Sequence, residues 1–427
     1  MPTDCLGACW RPYHCRMAPQ ASPTASVGQP SSKSRLRSLE LFAGGGGMAL
    51  GLHAAGFQHS ALIEIDSKAC DTLRHNSRCW ETRRIDNQAW VANAVMLQDV
   101  RHIELDAIES RDSLDLLAGG PPCQPFSLGG VHAGMNDTRN MFPAALDLVR
   151  RCKPKLVLFE NVAGLLRKSF SPYFDYVEMQ LRDPACIPRA DETWAEHAQR
   201  LSDRFSRDCK PGYYVTRQLL NAADFGVPQI RKRVVLMAVR TDISDRPLPP
   251  ITPTHSEAAL YYSQFVTGDY WDRHNILAPP SPNITKAKSS PKQDDLLSSK
   301  LKPWQTVRDA IAGLPEPIDG IQSHDHLNHI GIPGARSYPG HTGSDIDLPS
   351  KTIKAGVHGV CGGEAMIRFH DGKLRYMTVR ESARIQTFPD DYEFLGARSH
   401  AMRHIGNAVP VQLAKEIGLH MRFHSGM

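Results

Sequence analysis

The chain has 427 residues, which exceeds one average domain of about 100–200 residues and predicts two or three folding units. With 41% hydrophobic and 22% charged residues it is expected to fold, and its net charge of +5 permits a nucleic-acid partner without requiring one. No apolar stretch approaches the roughly 20 residues of a membrane-spanning helix, and the first residues lack an apolar secretory leader. We therefore expect neither membrane insertion nor export, and the ten cysteines then indicate a reducing compartment, the cytoplasm.

Residues 1–37 are rich in Pro, Ser, Gln and Arg and show no apolar period, which predicts a disordered N-terminal tail. Cys5, Cys9 and Cys15 lie in this tail, with His14 beside the last of them. A zinc site is the alternative to free thiols, but it would need paired short spacings in a folded knuckle. We expect free thiols here and no metal site elsewhere in the chain.

Between residues 38 and 240, short apolar runs alternate with helix-length segments. This alternation predicts βαβ units, and hence an α/β fold with a mostly parallel, Rossmann-like sheet that carries helices on both faces. Such sheets bind ligands at the carboxyl ends of their strands, so residues 38–240 are interpreted as a large catalytic and cofactor-binding domain. The predicted strands are 39–42, 61–65, 114–118, 156–159, 214–219 and 234–239, and the clearest helices are 48–55 and 67–75.

The first strand runs directly into four glycines, Gly44 to Gly47, and a helix follows. Glycines at this place let the backbone approach a ligand closely and leave free N–H groups at the helix start. Because no Gly-Lys-Ser/Thr follows, the turn is not a phosphate loop, and it fits the dinucleotide spacing GxGxxG poorly. Glu64 ends the second strand about 20 residues later, where an acid commonly holds a ribose, and Asp99 ends the third. Together they predict an adenosine-containing cofactor; a plain tight turn with solvent-facing acids is the alternative.

A cysteine follows the strand 114–118 in a loop of glycines and prolines, GGPPCQPFS, where packing gives no reason for a thiol. Buried cysteines behave as small hydrophobes, whereas reactive ones occupy exposed polar surroundings, so Cys123 is a candidate nucleophile. Glu160 ends the next strand and is expected beside this loop, as a proton donor or relay. Arg231 and Arg233 alternate along an extended segment and therefore point the same way, where one or both would reach an anion or a carbonyl oxygen. An incidental loop thiol and a solvated basic run are the alternatives.

The alternation of apolar runs and helix-length segments is lost over residues 241–377, where prolines interrupt aromatic and polar stretches. A regular pattern returns over residues 378–427. We interpret 241–377 as a second, small and irregular domain. Four histidines in it, His324, His326, His329 and His341, lack the cysteine spacing of a metal cluster, so they are expected on a loop or a plain surface.

Several motifs in order carry a resemblance to a known family. The chain resembles the bacterial DNA (cytosine-5) methyltransferases from about Leu39 to Leu419. The matching stretches are FAGGG at 42–46, PCQ at 122–124, ENV at 160–162, QxRxR at 229–233, RE at 380–381 and GNAVP at 406–410. This resemblance implies a methyltransferase that uses S-adenosylmethionine. It also implies that 241–377 is the target-recognition domain, that 378–427 completes the large domain, and that Arg380 and Glu381 brace the small one.

The resemblance also implies roles residue by residue. Cys123 would be the nucleophile that adds to C6 of a flipped cytosine, Glu160 the partner of its N3 and amino group, and Arg233 the donor to its O2, with Arg231 in the same catalytic group as a support. Contacts to DNA would come from Gln124, Ser127 and Arg139. The residues expected to bind the cofactor are Phe42, Ala43, Gly44, Gly45, Gly46, Glu64, Ile65, Asp99, Val100, Pro122, Asn407 and Ala408.

The implied partners are double-stranded DNA of a specific sequence and a cognate restriction endonuclease, for an enzyme that acts as a monomer on nucleoid DNA in the cytoplasm. Three other interpretations stay open at this point. The same chemistry on RNA is disfavoured because the Cys-Phe-Thr of the tRNA-methylating members is missing. A catalytically idle DNA-binding protein is disfavoured by the intact Cys123, Glu160 and Arg233. A small-molecule methyltransferase would explain the glycine turn and Glu64 but not the inserted domain.

Overall fold

The computed structural model describes residues 36–77, 94–105, 108, 114–122, 140–207, 209–278, 300–339, 341–355 and 365–427. The predictions for Cys5, Cys9, His14 and Cys15 lie outside the described residues, as do those for Cys123, Gln124, Ser127 and Arg139. Residues 35–427 form one compact unit.

A seven-stranded sheet organises the first half of this unit, in the order β3-β2-β1-β4-β5-β7-β6. The strands β1 to β5 run parallel to one another, which confirms the predicted mostly parallel sheet. Their bounds are β1 Leu36–Leu41, β2 Phe57–Glu64, β3 Val95–Leu97, β4 Leu116–Gly119, β5 Leu156–Val162, β6 Tyr213–Asn221 and β7 Lys232–Arg240.

The orientation of β7 was not predicted. It pairs antiparallel with both β5 and β6, so its first residues lie at the edge where the parallel strands end. The register places Arg233 opposite Val162, at the end of β5. This orientation brings the basic start of β7 to the edge at which parallel sheets bind ligands.

Helices cover both faces of the sheet. The described helices of the chain, which include those of residues 241–377, are α1 Gly47–Ala54, α2 Ser67–His75, α3 Phe142–Cys152, α4 Ser171–Arg182, α5 Trp194–Ser206, α6 Glu257–Phe265, α7 Asp269–Arg273, α8 Val307–Ile311, α9 Val379–Ile385, α10 Arg398–Asn407 and α11 Val411–Ser425. Sequence explains several of the starts: Asp66 caps α2 by accepting the backbone N–H groups of Lys68 and Ala69, and Thr193 opens α5 with a capping box.

Alternate residues of the strands divide the core into two layers. Along β4, Leu117 packs with α3 and α4, whereas Leu116 and Ala118 pack with α1 and α11. Because side chains alternate across a strand, a run of consecutive apolar residues is the pattern of a strand buried on both faces. The near-continuous apolar runs of β4 and β5 follow from this position.

Where residues 241–377 are described, their elements are short, as the irregular sequence predicts. A two-stranded sheet is formed by β8 His255–Ser256 and β9 Lys302–Pro303, and a three-stranded sheet by β10 Ser344–Asp345, β11 Met366–Arg368 and β12 Leu374–Tyr376. One buried cluster unites this segment with the rest, since it includes Ile346 and Ile367 together with Phe388, Ile405 and Leu50.

Two predictions about this region meet different outcomes. Arg380 is buried and donates to the carbonyl oxygens of Leu327, Pro389 and Tyr392, which confirms the predicted brace. The expected surface position of His329 is wrong, because its ring is buried and hydrogen-bonds the Thr378 hydroxyl and a backbone carbonyl. A histidine with both ring nitrogens satisfied in this way serves the core.

Helix α11 returns the chain to the start of the fold, where it packs on α1. The two backbones are so close that a Cβ atom added at Gly51 would lie 2.4 Å from the carbonyl oxygen of Val411. Among the described helices, none combines the length and the apolar character needed to cross a bilayer.

Candidate active site

The glycine turn between β1 and α1 has an unusual backbone. Gly44 and Gly46 have φ of 53° and 84°, and Phe42, which is not a glycine, has φ of 57°. Side chains with a Cβ rarely adopt this left-handed conformation, so Phe42 stores strain that the surrounding structure has to hold. Such strain concentrates at functional sites, which makes this turn a ligand-binding candidate on geometry alone.

Glu64 fastens the turn from the end of β2. One carboxylate oxygen, Oε2, accepts the N–H of Gly44 at 2.8 Å, and the other, Oε1, accepts those of Ile65 and Asp66, each at 2.8 Å. A carboxylate offers about four acceptor positions, so Oε2 retains one for a further donor. Glu64 therefore shapes the turn and keeps the capacity to accept a hydroxyl group.

A cavity of about 180 Å³ opens beside the turn, at the carboxyl ends of β1 to β4. Six residues that the sequence nominates for the cofactor line it: Phe42, Glu64, Ile65, Asp99, Val100 and Pro122. Four further lining residues escaped sequence reasoning, namely Ile63, Gln98, Arg101 and Met141. Apolar side chains stand open at this edge, since Ile65 is 66% exposed and Leu97 50% exposed. An exposed isoleucine beside an acid-lined cavity suits a flat, partly polar ring.

Asp99 carries the strongest charge contact of this cavity. Arg101 binds its carboxylate through Nη2 at 2.5 Å and through Nε at 3.0 and 3.1 Å. The hydrogen bonds from Arg101 lower the pKa of Asp99 to about 2, so Asp99 is an anionic acceptor at any ordinary pH. The signal in the sequence was the short spacing Asp99-Val100-Arg101, which lets a guanidinium fold back on the carboxylate.

A second charged pair lies on the neighbouring strands. The carboxylate of Glu160, at the end of β5, binds Arg233 Nε at 2.7 Å, and both side chains are largely buried. Burial lowers the pKa of Arg233, and Glu160 opposes that shift. Gly120 leaves room for this carboxylate, because a Cβ atom there would lie 3.2 Å from Glu160 Oε2. The antiparallel start of β7 is what brings these two residues together.

Described residues on either side of the segment 123–139 lie at the same cavity. The Asn161 amide donates to the carbonyl oxygen of Pro121 at 2.8 Å, which ties the end of β5 to the chain just before Cys123. On the far side of the segment, the N–H of Met141 donates to the carbonyl oxygen of Pro122 at 3.4 Å. Pro122 and Met141 both line the cavity, so Cys123 is covalently joined to a residue at its wall.

The structure does not bring the guanidinium of Arg231 into hydrogen-bond contact with the pair of Glu160 and Arg233. It donates instead to the carbonyl oxygens of Ile353, Gly406 and Ala408. Burial lowers the pKa of Arg231 well below its ordinary value. These contacts favour the supporting part of its predicted role over a direct one.

Asn407 and Ala408 lie at the end of α10 and are not among the cavity-lining residues. Ala408 packs against the start of α1, where a Cβ atom added at Gly47 would lie 3.0 Å from the Ala408 Cβ. Asn407 is exposed. The remaining predicted residues, Ala43, Gly45 and Gly46, are buried in the turn itself and contribute backbone rather than side chains.

Within the described part of the chain, Asp345, Asp347 and His370 are close enough to suggest a metal centre. Arg308 and Arg368 already bind the two aspartates, and a hydroxyl from Tyr270 completes the set. Two guanidinium groups repel a cation, and their charges balance those of the two aspartates, so we interpret these residues as a structural ion-pair cluster.

Comparisons with known proteins show which family the chain belongs to. The family model of the C-5 cytosine-specific DNA methylases matches residues 36–183 and 207–422. The Type II methyltransferase M.NgoMIV of Neisseria gonorrhoeae is 31% identical over 387 residues, which cover 89% of this chain and 95% of that protein. The Type II methyltransferase M.Eco47II of Escherichia coli is 32% identical over 382 residues, which cover 89% and 77%.

Solved structures support the fold. A prophage-encoded protein of Escherichia coli, described as a DNA modification methyltransferase, superposes with a TM-score of 0.54 at 20% identity, over 92% of this chain and all of the other. DNMT2 of Spodoptera frugiperda superposes with a TM-score of 0.52 at 16% identity, over 90% and 99%. With a family model that spans most of its length and relatives above 30% identity, the chain belongs to the C-5 cytosine-specific DNA methylases, and it is a DNA (cytosine-5-)-methyltransferase.

Proposed function

We propose that this enzyme transfers the methyl group of S-adenosylmethionine to C5 of a cytosine in a specific double-stranded DNA sequence, by covalent addition of Cys123 to C6 of the flipped base. The observation that carries the proposal is the buried pair of Glu160 and Arg233, beside the chain that leads into Cys123 and at the edge that holds the cavity. An acid and a guanidinium at this place suit the charge that develops on a pyrimidine ring.

The cavity fits the cofactor in three respects. Glu64 Oε2 keeps one acceptor position free for a ribose hydroxyl, and Asp99 stays anionic and accepts from an exocyclic amino group. The exposed side chain of Ile65 offers an apolar surface to a purine. When bound, S-adenosylmethionine would supply a methyl group on a positively charged sulfur and would leave as the neutral thioether S-adenosylhomocysteine.

The chemistry explains why these residue types are needed. C5 of cytosine is a weak nucleophile, and thiolate addition at C6 converts the ring into an enamine that attacks a methyl donor. Charge that develops on N3 and O2 during addition is neutralised by a proton shared between N3 and the carboxyl group of Glu160 and by the guanidinium of Arg233. After methyl transfer the C5 proton leaves to a base, the C6–S bond breaks, and Cys123 is released as thiolate. An ordinary thiol has a pKa of about 8.5, so the site has to favour the thiolate or remove its proton on addition.

The target base has to leave the helix to reach these groups, at a cost of a few kcal/mol. We infer that residues 241–377 recognise the DNA sequence and that Gln124, Ser127 and Arg139 contact the substrate strand. Because the relatives named above are Type II methyltransferases, we also propose a companion restriction endonuclease as the functional partner of this monomeric enzyme.

The experiment is a covalent trap with duplex DNA that carries 5-fluorocytosine in place of cytosine. Fluorine at C5 cannot leave as a proton does, so the adduct persists and is visible on a denaturing gel. We expect it with the wild type only when S-adenosylmethionine is present, and we expect none with Cys123→Ser. Cys209→Ser, which changes an exposed cysteine of the described chain, is the matched control and should trap normally. Equal trapping by Cys123→Ser and the wild type would refute the assignment.

A further inference from the structure

Arg231 occupies a junction between three separate parts of the chain. Its side chain is 1% exposed, and its donors reach Ile353 O at 3.1 Å, Gly406 O at 2.8 Å and Ala408 O at 3.0 Å. All three hydrogen-bond acceptors are backbone carbonyls. A guanidinium presents its donors in a rigid fork, so one side chain fixes the separation of these segments.

The first segment belongs to the predicted recognition domain. Residues 350–355 run alongside the approach to β7, since Ile230 N donates to Ser350 O at 2.8 Å and Ser350 N donates to Pro228 O at 2.9 Å. The hydroxyl of Thr352 adds a bond to Ile230 O at 2.7 Å. This segment therefore moves with the strand that carries Arg233.

The second segment is the C-terminal part that supports the cofactor cavity. Ala408, which Arg231 holds, packs against Gly47 at the start of α1, directly after the glycine turn. The backbones also meet, because a Cβ atom added at Gly406 would lie 2.5 Å from Ala355 N. A shift of one segment cannot occur without a shift of the other.

Two buried glutamines extend the same junction. Gln229 accepts from Ile353 N at 3.1 Å and donates to the side chain of Gln386, also at 3.1 Å. Gln386 in turn donates to Ile405 O at 2.6 Å. One extended stretch carries Gln229, Arg231 and Arg233 at alternate positions. The same short piece of chain therefore contacts the recognition segment, the cofactor segment and the base pocket.

We propose that Arg231 is a positioning residue that couples the binding of DNA to the binding of the cofactor. This inference rests on the proposed function. A flipped cytosine held by Glu160 and Arg233 fixes the start of β7, and Arg231 passes that constraint to Ala408 and the glycine turn. By linkage, the cofactor then tightens DNA binding by the same factor as DNA tightens cofactor binding.

The test measures that factor directly. Bisulfite sequencing of DNA from cells that express the enzyme first identifies the methylated sequence, and a duplex of that sequence is the DNA probe. The dissociation constant of S-adenosylhomocysteine is then measured by calorimetry with and without this duplex. We expect the wild-type ratio to lie at about 5–150, the usual range for coupled sites. Absence of methylated sites would contradict the proposed function, whereas a wild-type ratio of 1 on a methylated sequence would overturn this inference alone.

Arg231→Lys keeps the charge but loses the forked set of donors that binds three carbonyl oxygens. We expect it to lower the ratio of the dissociation constants at least fivefold. The matched control is Arg380→Lys, because Arg380 is also 1% exposed and also binds three carbonyls, but of Leu327, Pro389 and Tyr392. It should lose stability and keep the wild-type ratio. If Arg231→Lys does not fold, Gln386→Met removes the neighbouring link and should lower the ratio in the same way. A ratio within twofold of the wild type in the variant that folds would show a plain structural brace and overturn the proposal.

Discussion

Glu64 offers a quantitative test of the cofactor site, because its carboxylate accepts three backbone N–H groups at 2.8 Å. Glu64→Gln keeps the shape of the side chain but replaces one oxygen by an NH2 group, so at least one N–H then faces another donor. A hydrogen bond to a charged group contributes about 1.5–3 kcal/mol. Since Glu64 is partly exposed, we reduce the expected loss to about 1–3 kcal/mol, which weakens cofactor binding roughly 5–150-fold.

The assay is calorimetric titration with S-adenosylhomocysteine, together with a DNA-binding measurement by fluorescence anisotropy. We expect Glu64→Gln to change the first and to leave DNA affinity in the absence of cofactor nearly unchanged. Glu104→Gln is the control, because Glu104 is exposed near the same edge of the sheet and does not line the cavity. Cofactor affinity of folded Glu64→Gln within twofold of the wild type would refute the assigned role, and so would an equal loss in both measurements.

Three further outcomes are expected. Arg233→Ala removes the cation beside the reacting base and should lower the rate constant of methyl transfer about 10²–10³-fold in a single-turnover assay, whereas Arg240→Ala, at the far end of the same strand, should leave that rate constant unchanged. Burial lowers the pKa of His59 from 6.5 to about 4, so between these pH values the unfolded chain binds a proton at His59 that the folded chain does not bind. The free energy of unfolding in urea should therefore fall by about 3 kcal/mol between pH 6.5 and 4, less steeply in His59→Gln. Gly47→Ala would place a Cβ atom 2.3 Å from Val409 O and should cost about 1–3 kcal/mol of stability, together with weaker cofactor binding.

Much of the fold could be predicted from local patterns in the sequence. Helix α2 occupies the residues predicted for it, Ser67–His75, because it has a capping aspartate and an amphipathic pattern of its own. The apolar runs gave six of the seven described strands of this sheet, and Asp99 marked the end of the remaining one, β3; the rule that ligands bind at carboxyl ends placed Glu64 and Asp99 at one edge. These features depend on neighbours in the sequence, which is why they could be predicted.

Long-range features could not be predicted in this way. Nothing in the composition of β7 shows that it runs antiparallel, yet that orientation decides that Arg233 meets Glu160. Nor does the alternation of Arg231 and Arg233 reveal that one binds carbonyl oxygens more than 100 residues away while the other binds a carboxylate. A guanidinium can donate to a carbonyl oxygen or to a carboxylate, so only the fold determines which of the two it binds.

The cofactor turn also depends on the end of the chain. Helix α1 has no side-chain cap at its start, since Gly46 stands there. The turn is held instead from a distance, because the Tyr392 hydroxyl donates to Gly45 O at 2.8 Å and Arg422 donates to Ala55 O at the other end of α1. A glycine turn that serves a ligand has no side chains with which to stabilise its own backbone, so the stabilising contacts have to come from elsewhere in the chain. In this enzyme they come from Tyr392 and Arg422, which follow the groups they bind by nearly 350 positions or more. It follows that the cofactor site takes its final shape only when the C-terminal segment has folded onto α1.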